Sequence, residues 1–180
     1  MKYLLDGQET ERLSFKLVEK VYYDKWMELF KESDAVKFLG LQKFKTPQQC
    51  CDEWFRKVEE RKINDLGGLN ALIDKKTGKL VGQCGLLIQE VDGAEELEIG
   101  YSILPAFRRM GYAIEAAQKC RDYAFTNIFR DSLISIIHKD NFRSEGVALK
   151  NKMKLHKTTK FKESPVKIYR IYKHEWEAPR

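Results

Sequence analysis

Two arginines and a glycine stand where a strand-like segment gives way to a helix, in Arg108-Arg109-Met110-Gly111-Tyr112-Ala113. A helix N-terminus exposes unpaired backbone N–H groups and the positive end of the helix dipole, and this combination binds phosphates. Gly111 lets a ligand approach the backbone closely because glycine has no Cβ. Arginine guanidinium groups suit phosphate oxygens. The stretch therefore predicts a pyrophosphate site, although a solvated basic turn could have the same composition.

The surroundings of this turn resemble the GNAT superfamily of acyl-CoA N-acyltransferases. The pyrophosphate loop of that family has the pattern Gln/Arg-x-x-Gly-x-Gly/Ala, which residues 108–113 match. The preceding residues 97–103 look like the family's fourth strand. Residues 115–117, 138–144 and 150–153 are similar to the branch of ribosomal-protein (alanine/serine) N-terminal acetyltransferases. The resemblance covers about residues 10–175, in element order as well as in motifs.

The resemblance implies a binding site for acetyl-CoA as cosubstrate. Backbone groups of Ile103 and Leu104 would pair with the pantetheine arm, and an N–H near Ile103 would polarise the thioester carbonyl. Asn141 would hydrogen-bond the same arm through its side-chain amide, although Asp-Asn before a helix is also ordinary capping chemistry. The pyrophosphate would be held by Arg108 and by the backbone N–H groups of Arg109, Met110, Gly111, Tyr112 and Ala113.

A general base for the acceptor amine is sought on the same fourth strand, where the family often has a glutamate acting through a water. Glu98 is the first choice. Strand alternation places Glu98, Gly100 and Ser102 on the face opposite Leu97, Ile99 and Tyr101. A solvent-facing carboxylate is the plainer interpretation of Glu98, and Glu96 competes with it if the strand contains a bulge.

The departing thiolate needs a proton donor, which many GNAT members supply from a tyrosine seven positions after the asparagine. Ala148 occupies that position here. Ser144 is the substitute that the branch suggests, and Tyr101 is a more distant one. Ser144 could equally be a first-turn helix serine that bonds the backbone.

The helix after Asn141 departs from the branch in two places. Asn151-Lys152 stands where Leu-Gly is usual, so the helix lacks a glycine C-cap. Gly146 lies inside the helix and should cost about 1 kcal/mol relative to alanine. These departures motivate an alternative to an enzyme, namely a CoA-binding regulatory module without catalysis.

Hydrophobic periodicity predicts the elements that must position these residues. Alternating or continuous apolar runs predict strands at residues 11–20, 68–74, 77–91, 96–104, 132–138, 154–161 and 166–174, and helical patterns cover 22–31, 47–63, 111–129 and 142–150. The order β-α-α-β-β-β-α-β-α-β-β predicts an α/β (α+β) fold with a mixed, mostly antiparallel sheet of about seven strands flanked by helices. Residues 1–180 are expected to form a single domain, with a core at about 10–175.

Composition narrows the class of protein. The chain is 43% hydrophobic and 33% charged, which is typical of a globular domain. Its start, MKYLLDGQET, is unlike a secretory signal, and no apolar run has membrane-spanning length. The cysteines Cys50, Cys51, Cys84 and Cys120 show no metal-binding spacing, and neither do the three histidines. We therefore expect reduced thiols, no metal and a cytoplasmic protein.

The acceptor of the acetyl group stays open between a protein N-terminus and a polyamine or other small amine. Acidic residues of the first helices, such as Glu32, Asp34, Asp52 and Glu53, could attract a cationic amine. Residues 138–180 carry a net charge of +7, which would suit nucleic acid, but no recognition motif accompanies it. In the family, exposed strands at the end of the sheet commonly pair, and the resemblance therefore implies a homodimer.

Overall fold

A central sheet and five α-helices make up the fold in the computed structural model, which describes residues 2–177. The strands are β1 (Leu13–Leu17), β2 (Gly67–Asp74), β3 (Leu80–Val91), β4 (Ala94–Ile103), β5 (Ser132–His138), β6 (Lys154–Phe161) and β7 (Ser164–Tyr172). The helices are α1 (Tyr23–Met27), α2 (Ser33–Phe38), α3 (Pro47–Ile63), α4 (Tyr112–Thr126) and α5 (Phe142–Lys150). The strand order is β1-β2-β3-β4-β5-β7-β6. Neighbouring strands are antiparallel except β4 and β5, so the predicted mixed, mostly antiparallel sheet is confirmed.

The predicted element order differs from the structure between the first strand and α3. The single helix predicted over residues 22–31 is the short α1 followed by a 3₁₀ turn, Glu28–Lys31. Helix α2 was not predicted, because six residues give too little apolar periodicity to distinguish a helix from a loop. Strand β1 is also shorter than expected, at five residues.

Two layers of helices cover opposite faces of the sheet. Helix α4 packs Ala116, Cys120 and Phe125 against one face, which also buries Leu97 and Ile99 of β4. On the other face, Trp26 and Leu29 of the first helical segment pack with Cys51 of α3. Since the side chains of a strand alternate, Glu98 points to the face covered by α3. The sequence predicted this division of β4 correctly.

Strands β4 and β5 separate soon after they meet. Their parallel ladder registers one pair, Glu98 with Ile134. One residue further on, the hydroxyl of Ser135 donates to the carbonyl of Ile99 at 2.9 Å. Beyond that bridge the two strands line a cavity, so the separation opens a passage between the two faces of the sheet.

The ends of two helices are fixed by local chemistry. At α3, Thr46 Oγ1 accepts from the Gln49 N–H at 3.1 Å, and Gln49 Oε1 accepts from the Thr46 N–H at 3.3 Å. This capping box fixes the start of the helix that the sequence predicts over residues 47–63. Helix α5 ends with Lys152 in the left-handed region, at φ 62°. The Met153 N–H donates to Ala148 and the Lys152 N–H to Leu149, both at 3.0 Å, which is the Schellman pattern with lysine in the usual glycine position. The substitution at Asn151-Lys152 therefore leaves the helix end regular.

Candidate active site

A cavity of about 770 Å³ runs through the opening between β4 and β5. Its walls include the turn before α4, the start of α5 and the C-terminal half of α3. Nearly all of the residues singled out in the sequence line it, namely Glu98, Ile103, Arg108, Arg109, Gly111, Tyr112, Ala113, Asn141 and Ser144. Leu104 and Met110 do not. The fold thus brings the predicted phosphate turn, strand carboxylate and asparagine to one space.

The backbone of the turn before α4 is shaped for an anion. Arg109 and Gly111 are left-handed, with φ 62° and 85°, and Gly111 is the N-cap of α4. The first helical bond is the one from the Glu115 N–H to the Gly111 carbonyl, at 3.1 Å. The N–H groups that precede it have no partner within the helix and are available to a ligand. This geometry fits a phosphate at the end of the cavity.

Arg12, just before β1, braces this turn from outside the cavity. Its Nη1 donates to the Met110 carbonyl at 2.8 Å, and its Nε donates to Glu115 Oε2 at 2.7 Å. Its guanidinium stacks on the Tyr112 ring, 4.6 Å from the centroid. Sequence analysis missed Arg12, and no local signal could have revealed it, since its partners lie about a hundred residues further along the chain.

The two arginines of the turn have different surroundings. Arg108 Nη1 pairs with Glu32 Oε2 at 2.6 Å, and Arg108 Nε donates to the Ile103 carbonyl at 3.3 Å. Arg109 is exposed at the cavity and has no ion pair within residues 2–177. Met110 is 53% exposed, with its side chain outside the cavity. Among these side chains, Arg109 is therefore the cation open to a phosphate.

The edge of β4 that faces the cavity presents the backbone N–H of Ile103, while the Ile103 carbonyl accepts from Arg108. Alternate residues of a strand direct their N–H and C=O groups to opposite neighbours. The Leu104 N–H donates to the Val81 carbonyl of β3 at 2.9 Å, so Ile103 and Tyr101 direct their backbone groups away from β3. Leu104 was expected to pair with the pantetheine arm, but its backbone groups are used within the chain. Its N–H donates to Val81, and its carbonyl accepts from the Phe107 N–H at 2.9 Å. Leu104 thus anchors the 3₁₀ turn that follows.

Glu98 lies partly buried on the wall of the cavity. Gln89 Nε2 donates to Glu98 Oε2 at 2.7 Å, which fixes the carboxylate. Burial raises the pKa of Glu98, while the hydrogen bond from Gln89 and the charge of Arg61 oppose the rise. The competitor Glu96 is ion-paired with Arg170 of β7 and lies outside the cavity lining. Of the two carboxylates, Glu98 lines the cavity and Glu96 does not.

Asn141 and Ser144 meet at the start of α5. Asn141 Oδ1 accepts from the Ser144 N–H at 3.2 Å, so the asparagine caps the helix, while its Nδ2 has no hydrogen-bond partner among residues 2–177. The Tyr101 hydroxyl donates to the Ser144 carbonyl at 2.7 Å, and burial raises the pKa of Tyr101. The side chains of Asn141 and Ser144 both line the cavity. The capping role and the ligand role of Asn141 are therefore compatible.

Three cations that sequence analysis did not select line the cavity on the α3 side. They are Lys57 and Arg61 of α3 and Lys162 of the turn between β6 and β7. The spacing of Trp54, Val58 and Arg61, at i, i+4 and i+7, could have indicated that Arg61 lies on the inward face of the helix. Lys162 carries no comparable signal, because its place depends on the packing of a distant hairpin.

Residues 2–177 lack two further features, a membrane-spanning helix and a metal-binding cluster. That stretch contains no helix long and apolar enough to cross a bilayer. The same residues hold no cluster of three or more His, Cys, Asp or Glu side chains placed to bind a metal ion. All four cysteines are buried and free.

Comparison with known proteins extends these observations. The family model described as "Acetyltransferase (GNAT) domain" matches residues 12–154. The uncharacterized protein YkkB of Bacillus subtilis (strain 168) is 35% identical over 96 residues, which are 53% of this chain and 56% of YkkB. The uncharacterized N-acetyltransferase p20 of Bacillus licheniformis is 25% identical over 149 residues, covering 82% of this chain and 81% of p20.

Solved structures share the fold at lower identity. An acetyltransferase from Agrobacterium tumefaciens str. C58 superposes with a TM-score of 0.74 at 20% identity, covering 92% of this chain and 93% of that one. Spermidine N-acetyltransferase from Vibrio cholerae, in complex with CoA and spermine, has a TM-score of 0.70 at 14% identity and covers 92% and 98%. The ribosomal L7/L12 alpha-N-protein acetyltransferase RimL, in complex with coenzyme A, has a TM-score of 0.70 at 13% identity and covers 92% and 97%.

The two CoA complexes have the same TM-score to this chain, but their names give different acceptors, spermidine and a ribosomal protein. Ribosomal-protein acetyltransferases are therefore one of several groups with a similar fold. The family model, by contrast, spans most of the chain, including the turn before α4 and the strand that carries Glu98. Its match and the cavity between β4 and β5 lead to the same conclusion: the chain belongs to the GNAT family of acetyltransferases.

Proposed function

We propose that the protein transfers an acetyl group from acetyl-CoA to a primary amine by direct attack of the amine on the thioester. The observation that carries this proposal is the placement of Glu98 in one cavity with the turn before α4. Acetyl transfer requires a group that accepts the proton of the amine and a group that binds the pyrophosphate of acetyl-CoA. The carboxylate of Glu98 and the turn before α4 can supply these two functions.

The residues of the turn fit coenzyme A. Backbone N–H groups of Gly111, Tyr112 and Ala113 would hold the pyrophosphate, with Arg109 as the nearby cation. Arg108, paired with Glu32, would instead keep the turn next to β4. Once bound, acetyl-CoA supplies an activated acyl group, and the remaining chemistry belongs to the chain.

Strand β4 would orient the acyl group. The Ile103 N–H points away from β3 toward the opening, where it can donate to a carbonyl oxygen. A backbone donor costs no reorganisation because the sheet fixes it in place. The Asn141 amide would hold the pantetheine arm from the other side of the opening.

Glu98 would take the proton that the amine loses, directly or through a water. As the N–C bond forms, the C–S bond breaks and the thiolate leaves. The raised pKa of Glu98 makes its carboxylate a stronger base than an exposed glutamate. Ser144 is the side chain we assign to protonate or hydrogen-bond the thiolate. Tyr101 is less suitable, because its hydroxyl already donates to the Ser144 carbonyl.

The test is release of free thiol from acetyl-CoA in the presence of amines, including peptides that begin with Ser, Ala or Met, spermidine and free amino acids. Turnover that falls at least a hundredfold in Glu98→Gln would support the proposal. The loss in Ser144→Ala should be smaller, since a water can replace the hydroxyl. Acetyl-CoA that raises the melting temperature without any turnover would favour the alternative of a non-catalytic CoA-binding module.

A further inference from the structure

The α3 side of the cavity concentrates positive charge. Lys57 and Arg61 lie one turn apart on α3, and Lys162 approaches from the turn between β6 and β7. The three side chains are close enough to influence one another: after burial, the charges of Lys57 and Arg61 are the next causes that lower the pKa of Lys162. Glu98 lies in the same field, since Arg61 and Lys162 both lower its pKa.

The surroundings leave much of this charge unneutralised. Arg61 Nη2 donates to the carbonyls of Leu66 and Ile88, both at 2.6 Å, and a carbonyl carries no formal charge. Within residues 2–177, Arg61 and Lys162 have no carboxylate oxygen within 4 Å.

Lys57 has only a shared partner. Its Nζ lies 3.5 Å from Glu53 Oε1, but both oxygens of Glu53 accept from Arg56, at 2.7 and 3.0 Å. The predicted attraction of a cationic amine by the first helices is weakened as well, because Glu32 pairs with Arg108 and Glu53 pairs with Arg56. Asp52 lies outside the lining of the cavity. Asp34 of α2 is the remaining acid that lines the cavity besides Glu98 and Glu32.

We infer that the acceptor carries an anionic group, a carboxylate or a phosphate, beside the amine that is acetylated, and that Lys57, Arg61 and Lys162 bind this group. The inference rests on the proposed transferase function. None of the three cations has a carboxylate to itself within residues 2–177: Arg61 and Lys162 have no ion pair, and Lys57 shares Glu53 with Arg56. A ligand anion that binds them therefore has no tight ion pair to displace. The amine of such an acceptor would lie toward Glu98, which belongs to the same end of the cavity. A polyamine would meet the three cations at close range and is disfavoured.

The experiment compares matched amines that differ in one anionic group, with free thiol release as the readout. Serine is paired with serinamide, and a short peptide with its C-terminal amide, to test a carboxylate. Phosphoethanolamine is paired with ethanolamine to test a phosphate, and spermidine represents the polyamines. Each is assayed with the wild type and with Lys57→Gln, Lys162→Gln and Lys160→Gln. Lys160 lies on the same hairpin as Lys162 but is exposed outside the cavity lining, so its variant controls for the loss of a charge alone.

The expected result is a higher kcat/KM for one anionic member of these pairs than for its neutral partner. Lys57→Gln and Lys162→Gln should each raise KM for that acceptor about fivefold. The KM for the neutral partner should change much less in these two variants, and Lys160→Gln should leave the KM for both members of the pair unchanged.

Equal or better use of the neutral amines or spermidine would overturn the inference and leave the transferase function standing. A preference for the anion that survives in both Lys57→Gln and Lys162→Gln would overturn it as well. The absence of turnover with every amine, together with no effect of acetyl-CoA on the melting temperature, would overturn the transferase function itself.

Discussion

Opposing influences meet on the carboxylate of Glu98. Burial favours its neutral form, whereas Gln89, Arg61 and the Ile136 backbone favour the ionised form, and the net effect is a raised pKa. A base must be ionised to accept a proton. Activity that depends on Glu98 should therefore fall as the pH drops through this raised pKa, above the usual range of about 4.3 for glutamate.

The pH profile of kcat/KM is expected to show this acidic limb in the wild type and to lose it in Glu98→Gln, at a rate lowered about 10²- to 10⁴-fold. The matched control is Glu96→Gln, the same change two residues earlier on the strand. Glu96 pairs with Arg170 outside the cavity lining, so its variant should keep the acidic limb and lose stability instead. An unchanged limb in Glu98→Gln would assign the base to another group.

The same substitution has a stability signature. A carboxyl group with a raised pKa in the folded state binds protons more tightly when folded, so its contribution to stability decreases as the pH rises through that pKa. Glutamine removes the cost of the buried charge. The melting temperature of Glu98→Gln at pH 7 is thus expected to equal or exceed that of the wild type, while activity is lost. A large decrease would show that the residue acts in stability rather than in catalysis.

Asn141 combines two roles that substitution can separate. Its Oδ1 caps α5, and its Nδ2 is the proposed donor to the pantetheine arm. Asn141→Asp keeps a capping oxygen and loses the donor, so it should retain the melting temperature and raise KM for acetyl-CoA. Asn141→Ala loses both, and the cap is worth about 1 kcal/mol, or about 2–4 °C in a domain of this size. Thermal melts and acetyl-CoA kinetics of both variants measure the separation.

At the scale of the elements, the cavity is built from helix ends and one strand edge. The N-termini of α4 and α5 both reach it, and β4 offers the edge that β5 leaves unpaired. Two glycines in these helices have different tasks. Gly111 is left-handed at the N-cap of α4, whereas Gly146 occupies an ordinary interior position of α5.

Alanine at the two glycines should act in opposite directions. A Cβ on Gly111 would lie 3.1 Å from Arg12 Nη2, and the left-handed backbone costs alanine about 1–2 kcal/mol, so Gly111→Ala should lower the melting temperature and weaken acetyl-CoA binding. A Cβ on Gly146 would have no heavy atom within 4 Å, so Gly146→Ala should add about 1 kcal/mol of stability. Calorimetric melts with and without acetyl-CoA measure both effects. A stabilised Gly111→Ala would contradict the assigned backbone role.

At the scale of the whole molecule, one irregularity in the sheet creates the site. The ladder between β4 and β5 stops after Glu98 and Ile134, and the helices on the two faces close the resulting space from either side. A ligand that spans this opening would connect α4, α5 and the two strands. Its binding should therefore stabilise the entire fold rather than one loop.

Acetyl-CoA at about 100 times its dissociation constant is expected to stabilise the protein by about 2.7 kcal/mol, equivalent to a rise of about 5–10 °C in melting temperature. Hydrogen exchange should slow in β4 and β5 as well as in the turn before α4. Protection limited to that turn would indicate that the ligand binds only through its phosphates. No shift in either measurement would contradict the cavity as a CoA site.

The sequence alone determined the local features of this protein. The glycine and arginines of the turn, the capping box at Thr46, and the alternation that separates Glu98 from Leu97 and Ile99 all depend on neighbouring residues. The expectation of a single domain stays a prediction. The periodicities of strands and helices were sufficient to predict the element order, with the exception of α2. That helix has six residues, which are too few to show a helical pattern.

Only the tertiary structure decided which of these residues share a cavity. The early separation of β4 from β5, which pair at Glu98 and Ile134, is a property of the assembled sheet, since the two strands are separated by α4 in the sequence. Arg108 pairs with Glu32, and Arg12 donates to the carbonyl of Met110. Lys57 and Lys162 line the same cavity although they are about a hundred residues apart in the sequence. Residues so far apart in the sequence come together through the packing of whole helices and strands, which local sequence patterns do not predict.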